Sequence, residues 1–140
     1  MPRFSPFRWD CDKQGCFNTK CRPDFGVFYD CFPGKGSFTD IDGIIEINGK
    51  LLLLEWKSKP DAIPVGQQIM YKHLSRKCDA FVVCVSGDAE TMQIDHALSF
   101  SKGHMGRWIP MSTEQVVELF TKWAAFAKGG KESRNVRQGQ

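Results

Sequence analysis

A chain of 140 residues, 41% hydrophobic and 25% charged, is sized for one domain with a buried core. Its formal net charge is +3, and Lys128, Lys131, Arg134 and Arg137 against Glu132 carry that excess by themselves. The body is therefore near neutral, and attraction to nucleic acid must come from local patches. No run approaches the roughly 18 to 20 apolar residues of a membrane span, and MPRFSPFRWD lacks the apolar core of a signal peptide. A cytoplasmic, reducing setting without membrane contact is expected, where clustered cysteines serve more often as metal ligands or reactive thiols than as disulfides.

The first ten residues interleave Phe4, Phe7 and Trp9 with Arg3 and Arg8. Such an arm can stack on bases and grip phosphates, but rings that pack on the domain are the simpler reading. Four of the six cysteines follow, Cys11, Cys16, Cys21 and Cys31, at the spacing C-x4-C-x4-C-x9-C. Around them stand Asp12, Lys13, Gln14, Gly15, Asn18, Thr19 and Lys20, loop chemistry with little apolar matter to fold on. Four thiolates in such a setting suit a structural Zn²⁺ that replaces a core. An iron–sulfur cluster would use the same four ligands, and four buried, unliganded thiols are the plain alternative. The absence of a CxxC pair speaks against a redox role.

From Pro23-Asp24 the pattern becomes helical, with Phe25, Phe28 and Phe32 recurring beside Val27 and Cys31. Gly26 weakens that helix by about 1 kcal/mol against alanine, and Pro33-Gly34 ends it. The stretch FTDIDGIIEINGKLLLLEWKSK then reads as two strands joined at Asn48-Gly49, a pair that tolerates the positive φ of a two-residue hairpin. Ile44, Ile45 and Ile47, then Leu51 to Leu54, suit strands buried on both faces. With that turn, Asp42 lies opposite Glu55 and Asp40 opposite Lys57, and period-two alternation sends all four side chains to one face. Carboxylates opposed across a ladder repel unless a cation compensates them. A lysine supplies one charge, and Mg²⁺ or Mn²⁺, bound through one or two carboxylates, would supply the rest. Such an ion polarises a phosphodiester, and Lys57 could orient or deprotonate an attacking water. A solvated surface hairpin is the bland alternative.

Asp42, followed thirteen residues later by Glu55-Trp56-Lys57, resembles the D…(D/E)xK signature of the PD-(D/E)XK nuclease superfamily. The resemblance implies a restriction-endonuclease-like αβββαβ core, an α/β (α+β) fold with a mixed central sheet flanked by helices. It makes Asp42 and Glu55 ligands of Mg²⁺ (or Mn²⁺), the Trp56 backbone carbonyl a further ligand and Lys57 the catalytic lysine, with Asp40 an additional acid beside them. Asp61 to Leu74 reads as a helix with Pro64 in its first turn. Its Gln67 and Tyr71, four apart on one face, are similar to the QxxxY element of RecB-like members, which contacts substrate or supports the site. Members often carry a glutamate on the helix before the first strand. This chain has none before Glu46, and Asp24 and Asp30 are the acids nearby. The resemblance spans about residues 22 to 86.

Asp79 to Asp88 is a continuous β-branched and aromatic run, a buried central strand. A weaker strand is expected over Thr91 to Ile94, and Ser101 to Arg107 reads as a loop in which Lys102, His104 and Arg107 could touch phosphate. His73 and His96 carry no specific signal. Ser112-Thr-Glu-Gln115 is a capping box for a helix running to about Lys128. Val116, Leu119, Phe120, Trp123 and Phe126 form its core-packing stripe, with a partner helix or homodimer seam as the other use. The basic tail has nothing to bury and is expected to be disordered. The expected organisation is thus an arm and metal element over 1–35, a catalytic core over 36–128 and a tail over 129–140. The expected activity is hydrolysis of phosphodiester bonds in nucleic acid, DNA foremost. A binding module on the same fold, without catalysis, is the alternative.

Overall fold

Asn48 and Gly49, at φ 53° and 80°, fold the chain back on itself and fix the register of everything near the site. Strand β1 (Gly43–Ile47) pairs antiparallel with β2 (Lys50–Lys57), Ile47 opposite Lys50 and Gly43 opposite Leu54, which is the register the sequence dictates. This computed structural model describes residues 25–34 and 38–129. The arm, Cys11, Cys16, Cys21 and the tail from residue 130 lie outside the described residues. The chain divides into two compact units, Met1–Thr39 and Asp40–Gln140.

In the first unit Phe25–Cys31 forms a 3₁₀ helix rather than an α-helix. Its tighter winding eclipses residues three apart, and the rings of Phe25, Phe28 and Phe32 gather around Phe38 at centroid distances of 5.2, 6.1 and 5.4 Å.

In the second unit β2 is followed by helix α1 (Val65–Lys77) and by β3 (Phe81–Asp88), which lies parallel to β2. Strands β4 (Gln93–Ser101), β5 (His104–Met105) and β6 (Ile109–Pro110) add antiparallel, and helix α2 (Thr113–Ala127) closes the described chain. The sheet runs β1-β2-β3-β4-β5, with β6 also pairing β4, so the unit is a six-stranded mixed sheet with two helices. Val82 and Cys84 of β3 pack with Leu53, Tyr71, Leu98 and Phe100 on the α1 face. Phe81, Val83 and Val85 pack with Leu52, Leu119 and Trp123 on the α2 face. At about 1.5–3 kcal/mol for each large apolar side chain buried, this central strand anchors both layers. The last helix starts at Ser112 with its capping box closed, and its apolar stripe is spent on the core. Among the described residues no helix is long and apolar enough to cross a membrane.

Five expectations need correction. Strand β1 is not buried on both faces: it is a sheet edge, and Ile44 and Ile45 are 60% and 51% exposed. Pro64 sits just ahead of α1 as its N-cap, with its carbonyl accepting from Gln68 N–H. The weak strand expected over 91–94 is instead the nine-residue β4, whose polar His96, Ser99 and Ser101 hide its full length in sequence. The loop beginning at Ser101 is a tight hairpin, with Lys102 and Gly103 at φ 52° and 86° and Ser101 paired to His104. Two strands, not three, precede α1 among the described residues.

Candidate active site

Alternation along β2 puts Leu53, Glu55 and Lys57 on the α1 face. Glu55 and Lys57 are about 6.6 Å apart along a strand, close to the roughly 6 Å that separates residues i and i+4 on a helix. Helix α1 runs back along β2 and uses that match. Gln67 Oε1 accepts from Lys57 Nζ at 2.6 Å, and one turn later Tyr71 O–H donates to Glu55 Oε2 at 2.6 Å. Tyr71 is 1% exposed and Glu55 4%, so this second bond is sealed from solvent, with the Phe100 ring edge-on to the tyrosine. Two side chains spaced for a strand are thus held by two spaced for a helix.

Asp42 enters from the end of β1. In the hairpin register Trp56 N–H would bond the carbonyl of Ile41 if the ladder continued. Instead it donates to Asp42 Oδ2 at 2.7 Å, while Asp42 N–H donates to Glu55 Oε1 at 3.3 Å. The aspartate side chain therefore ends the ladder and is locked beside Glu55. The β1–β2 ladder therefore stops at Gly43, short of the strand register expected to set Asp40 opposite Lys57, and Asp40 is exposed ahead of β1. Trp56 N–H and C=O leave the same edge of β2, so the carbonyl emerges beside Asp42.

Burial raises the Glu55 carboxyl above its ordinary 4.5, and the charge of Asp42 adds to this, while the hydrogen bond from Tyr71 works against it. Burial and the Glu55 carboxylate together hold the Tyr71 phenol protonated, as a donor. Cys84, paired with Glu55 across the parallel ladder, is pushed up to about 12 by burial first and Glu55 second, and is an inert thiol. The electrostatic picture is of two carboxylates in excess over the positive charge that reaches them. Their donor set, two carboxylates and a carbonyl, is oxygen only and suits a hard divalent cation. Among the described residues no group of three or more His, Cys, Asp or Glu side chains is arranged to hold a metal, so any ion here would rest on this pair.

One residue expected to touch phosphate, Lys102, stands away from this cluster. Lys102 follows β4 at the end paired with the start of β3, whereas Lys57 is opposite Ser86 near the finish of β3. That separates the two lysines by roughly 13 Å or more along the strands. Arg107 is exposed between β5 and β6, next to Gly106, whose N–H donates to the Ser99 carbonyl at 2.8 Å. Cys31 is exposed on the 3₁₀ helix of the first unit. Conversely, Ser86 and His96 stand in register with Lys57. Sequence carried no signal for them, because their position depends on long-range pairing of β2, β3 and β4. Comparison with family models, with curated proteins and with solved structures finds no match to this chain.

Proposed function

We propose that this chain is a metal-dependent nuclease of PD-(D/E)XK type, hydrolysing phosphodiester bonds, with DNA as the foremost substrate. The observation that carries the reading is the union of Asp42, Glu55 and Lys57 on one face with Gln67 and Tyr71 holding the latter two. A binding module has no need for two adjacent carboxylates, one buried and raised in pKa. The order hairpin, helix, parallel strand supports a restriction-endonuclease-like core. The strand count before α1 departs from αβββαβ, and Asp42 and Glu55 are the acids on which the metal reading rests.

Asp42, Glu55 and the Trp56 carbonyl would hold Mg²⁺ or Mn²⁺. The chemistry supplied by such an ion, when bound, is polarisation of the phosphodiester. The chain's own part follows from the hydrogen bonds. Trp56 N–H fixes Asp42, and Tyr71 fixes Glu55, so both carboxylates are oriented before any ligand arrives. Gln67 accepts from Lys57 and draws its ammonium toward α1, where it can orient an attacking water or offset charge that develops on phosphate. The four clustered cysteines are proposed to hold a structural Zn²⁺.

The test is cleavage of supercoiled plasmid, single-stranded and branched DNA with Mg²⁺, Mn²⁺ or EDTA, with Lys57→Ala beside the wild type. Cleavage that needs metal and is lost in the variant is expected. Binding of DNA without any cleavage would replace this reading by a non-catalytic module.

A further inference from the structure

Beside the carboxylates runs a second row of opposite character. Lys57 is opposite Ser86 in the β2–β3 ladder, and Ser86 is opposite His96 in the β3–β4 ladder. Paired residues share a face, so all three stand on the α1 side, one period-two step beyond Glu55, Cys84 and Leu98. Ser86 is 1% exposed, and among the described residues neither its Oγ nor the buried Nδ1 of His96 has a hydrogen-bond partner. Buried polar atoms are nearly always satisfied, so two orphans on adjacent strands need a physical reason. A register shift follows at once, between Ser86 and Gly87, and bulges of this kind re-aim side chains next to sites. One step back, the same face is filled by Cys84 and Leu98. It turns polar at this row.

The two rows differ in what they can hold. Asp42 and Glu55 are acceptors, suited to a cation, whereas an ammonium, a hydroxyl and an imidazole N–H all donate. We infer that Lys57, Ser86 and His96 form an anion subsite that holds a phosphate of the substrate next to the carboxylate pair. A phosphate oxygen accepting from Ser86 O–H and a His96 ring N–H would satisfy both orphans. His96 is half-buried, so the row opens to solvent at its β4 end. The source of the phosphate, a nucleic-acid backbone, rests on the nuclease reading; the donor row does not.

Two measurements test the subsite. Inorganic phosphate is titrated into ¹⁵N-labelled protein while the histidine ring signals are followed. A labelled single-stranded oligonucleotide is bound with Ca²⁺ in place of Mg²⁺, using wild type, Ser86→Ala, His96→Ala and His96→Gln. Saturable movement of the His96 signals is expected, weakened in Ser86→Ala. Oligonucleotide affinity should fall about tenfold in Ser86→Ala and His96→Ala, the scale of one charge-assisted hydrogen bond. His96→Gln, which keeps a donor, should recover part of the loss, and in cleavage the defect should fall on KM more than on kcat. Still His96 signals with unchanged affinity would overturn the subsite, making Ser86 and His96 an internal polar pair. Phosphate shifts without any change in oligonucleotide affinity would also overturn it, as an adventitious ion only. Affinity lost in His96→Ala by a protein that never cleaves would sink the nuclease reading and keep the subsite.

Discussion

Glu55 is the residue on which the site's electrostatics turn. Its folded-state pKa is raised by burial and by Asp42. The sign follows from linkage: stability tied to this carboxyl is full below the ordinary value of 4.5 and is lost as pH rises through the raised value. At neutral pH without metal the ionised form is a liability, so Glu55→Gln should stabilise the metal-free protein and raise its Tm. The advantage should vanish near pH 4, where both proteins carry a neutral group. Millimolar Ca²⁺ or Mg²⁺ should raise the Tm of the wild type and leave the variant unmoved, because an ion that binds only the folded state stabilises it. Thermal melts of both proteins across pH, with and without the ion, check all three outcomes. Equal melting curves at pH 7 would mean that Glu55 is not held charged beside Asp42.

At the scale of elements, the α1–β2 pairing makes separable predictions. Tyr71→Phe removes a buried bond to a carboxylate, of a kind worth about 1.5–3 kcal/mol. It should destabilise the protein by about that much and weaken the ion-induced rise in Tm. Gln67→Ala leaves Glu55 untouched but frees Lys57, so it should lower kcat about 10- to 100-fold while the ion-induced rise persists. Melts and cleavage rates on the same preparations separate the two roles. The hairpin and the bulge offer a second contrast. A Cβ at Gly49 meets nothing and is opposed only by φ 80°, whereas at Gly87 it would lie 2.0 Å from the Gln93 carbonyl oxygen. Gly49→Ala should therefore cost about 1 kcal/mol. Gly87→Ala should cost more, and should disturb the Trp56 indole that donates to the Gly87 carbonyl at 3.1 Å. Chemical denaturation of the two variants checks the order.

These same elements show what a reader of the sequence can reach. The hairpin register was legible because Asn48-Gly49 allows few turn geometries, and from it came the approach of Asp42 to Glu55. Helix α2 was legible from its capping box and stripe. Strand β4 was not. Its α2 face carries small residues such as Ala97, which packs in one cluster with Trp123, and Ser99 and Ser101 are buried despite their polar side chains. With β4 hidden, the alignment of Lys57, Ser86 and His96 could not be drawn. Nor could sequence foresee the early end of β1, because it depends on one side chain outcompeting a backbone carbonyl for Trp56 N–H.

For the molecule as a whole, the ligand sets proposed for the two metals differ in softness and fall in different compact units. The clustered cysteines Cys11, Cys16, Cys21 and Cys31 belong to residues 1–39, and the oxygen donors Asp42, Glu55 and Trp56 to residues 40–140. Thiolates select Zn²⁺ over Mg²⁺, whereas carboxylates and carbonyls suit the harder ion, so ligand type should keep the two metals apart. Protein purified without chelator is expected to carry about one Zn²⁺ per chain. Cys16→Ser with Cys21→Ser should remove most of that zinc and leave the Ca²⁺-induced rise in Tm in place. Glu55→Gln should do the reverse. Metal analysis by mass spectrometry alongside melts of the same samples decides the matter. Zinc retained by the double cysteine variant would show that the cysteines are not its ligands. Zinc lost on Glu55→Gln would show that a single oxygen-rich site had been binding both metals.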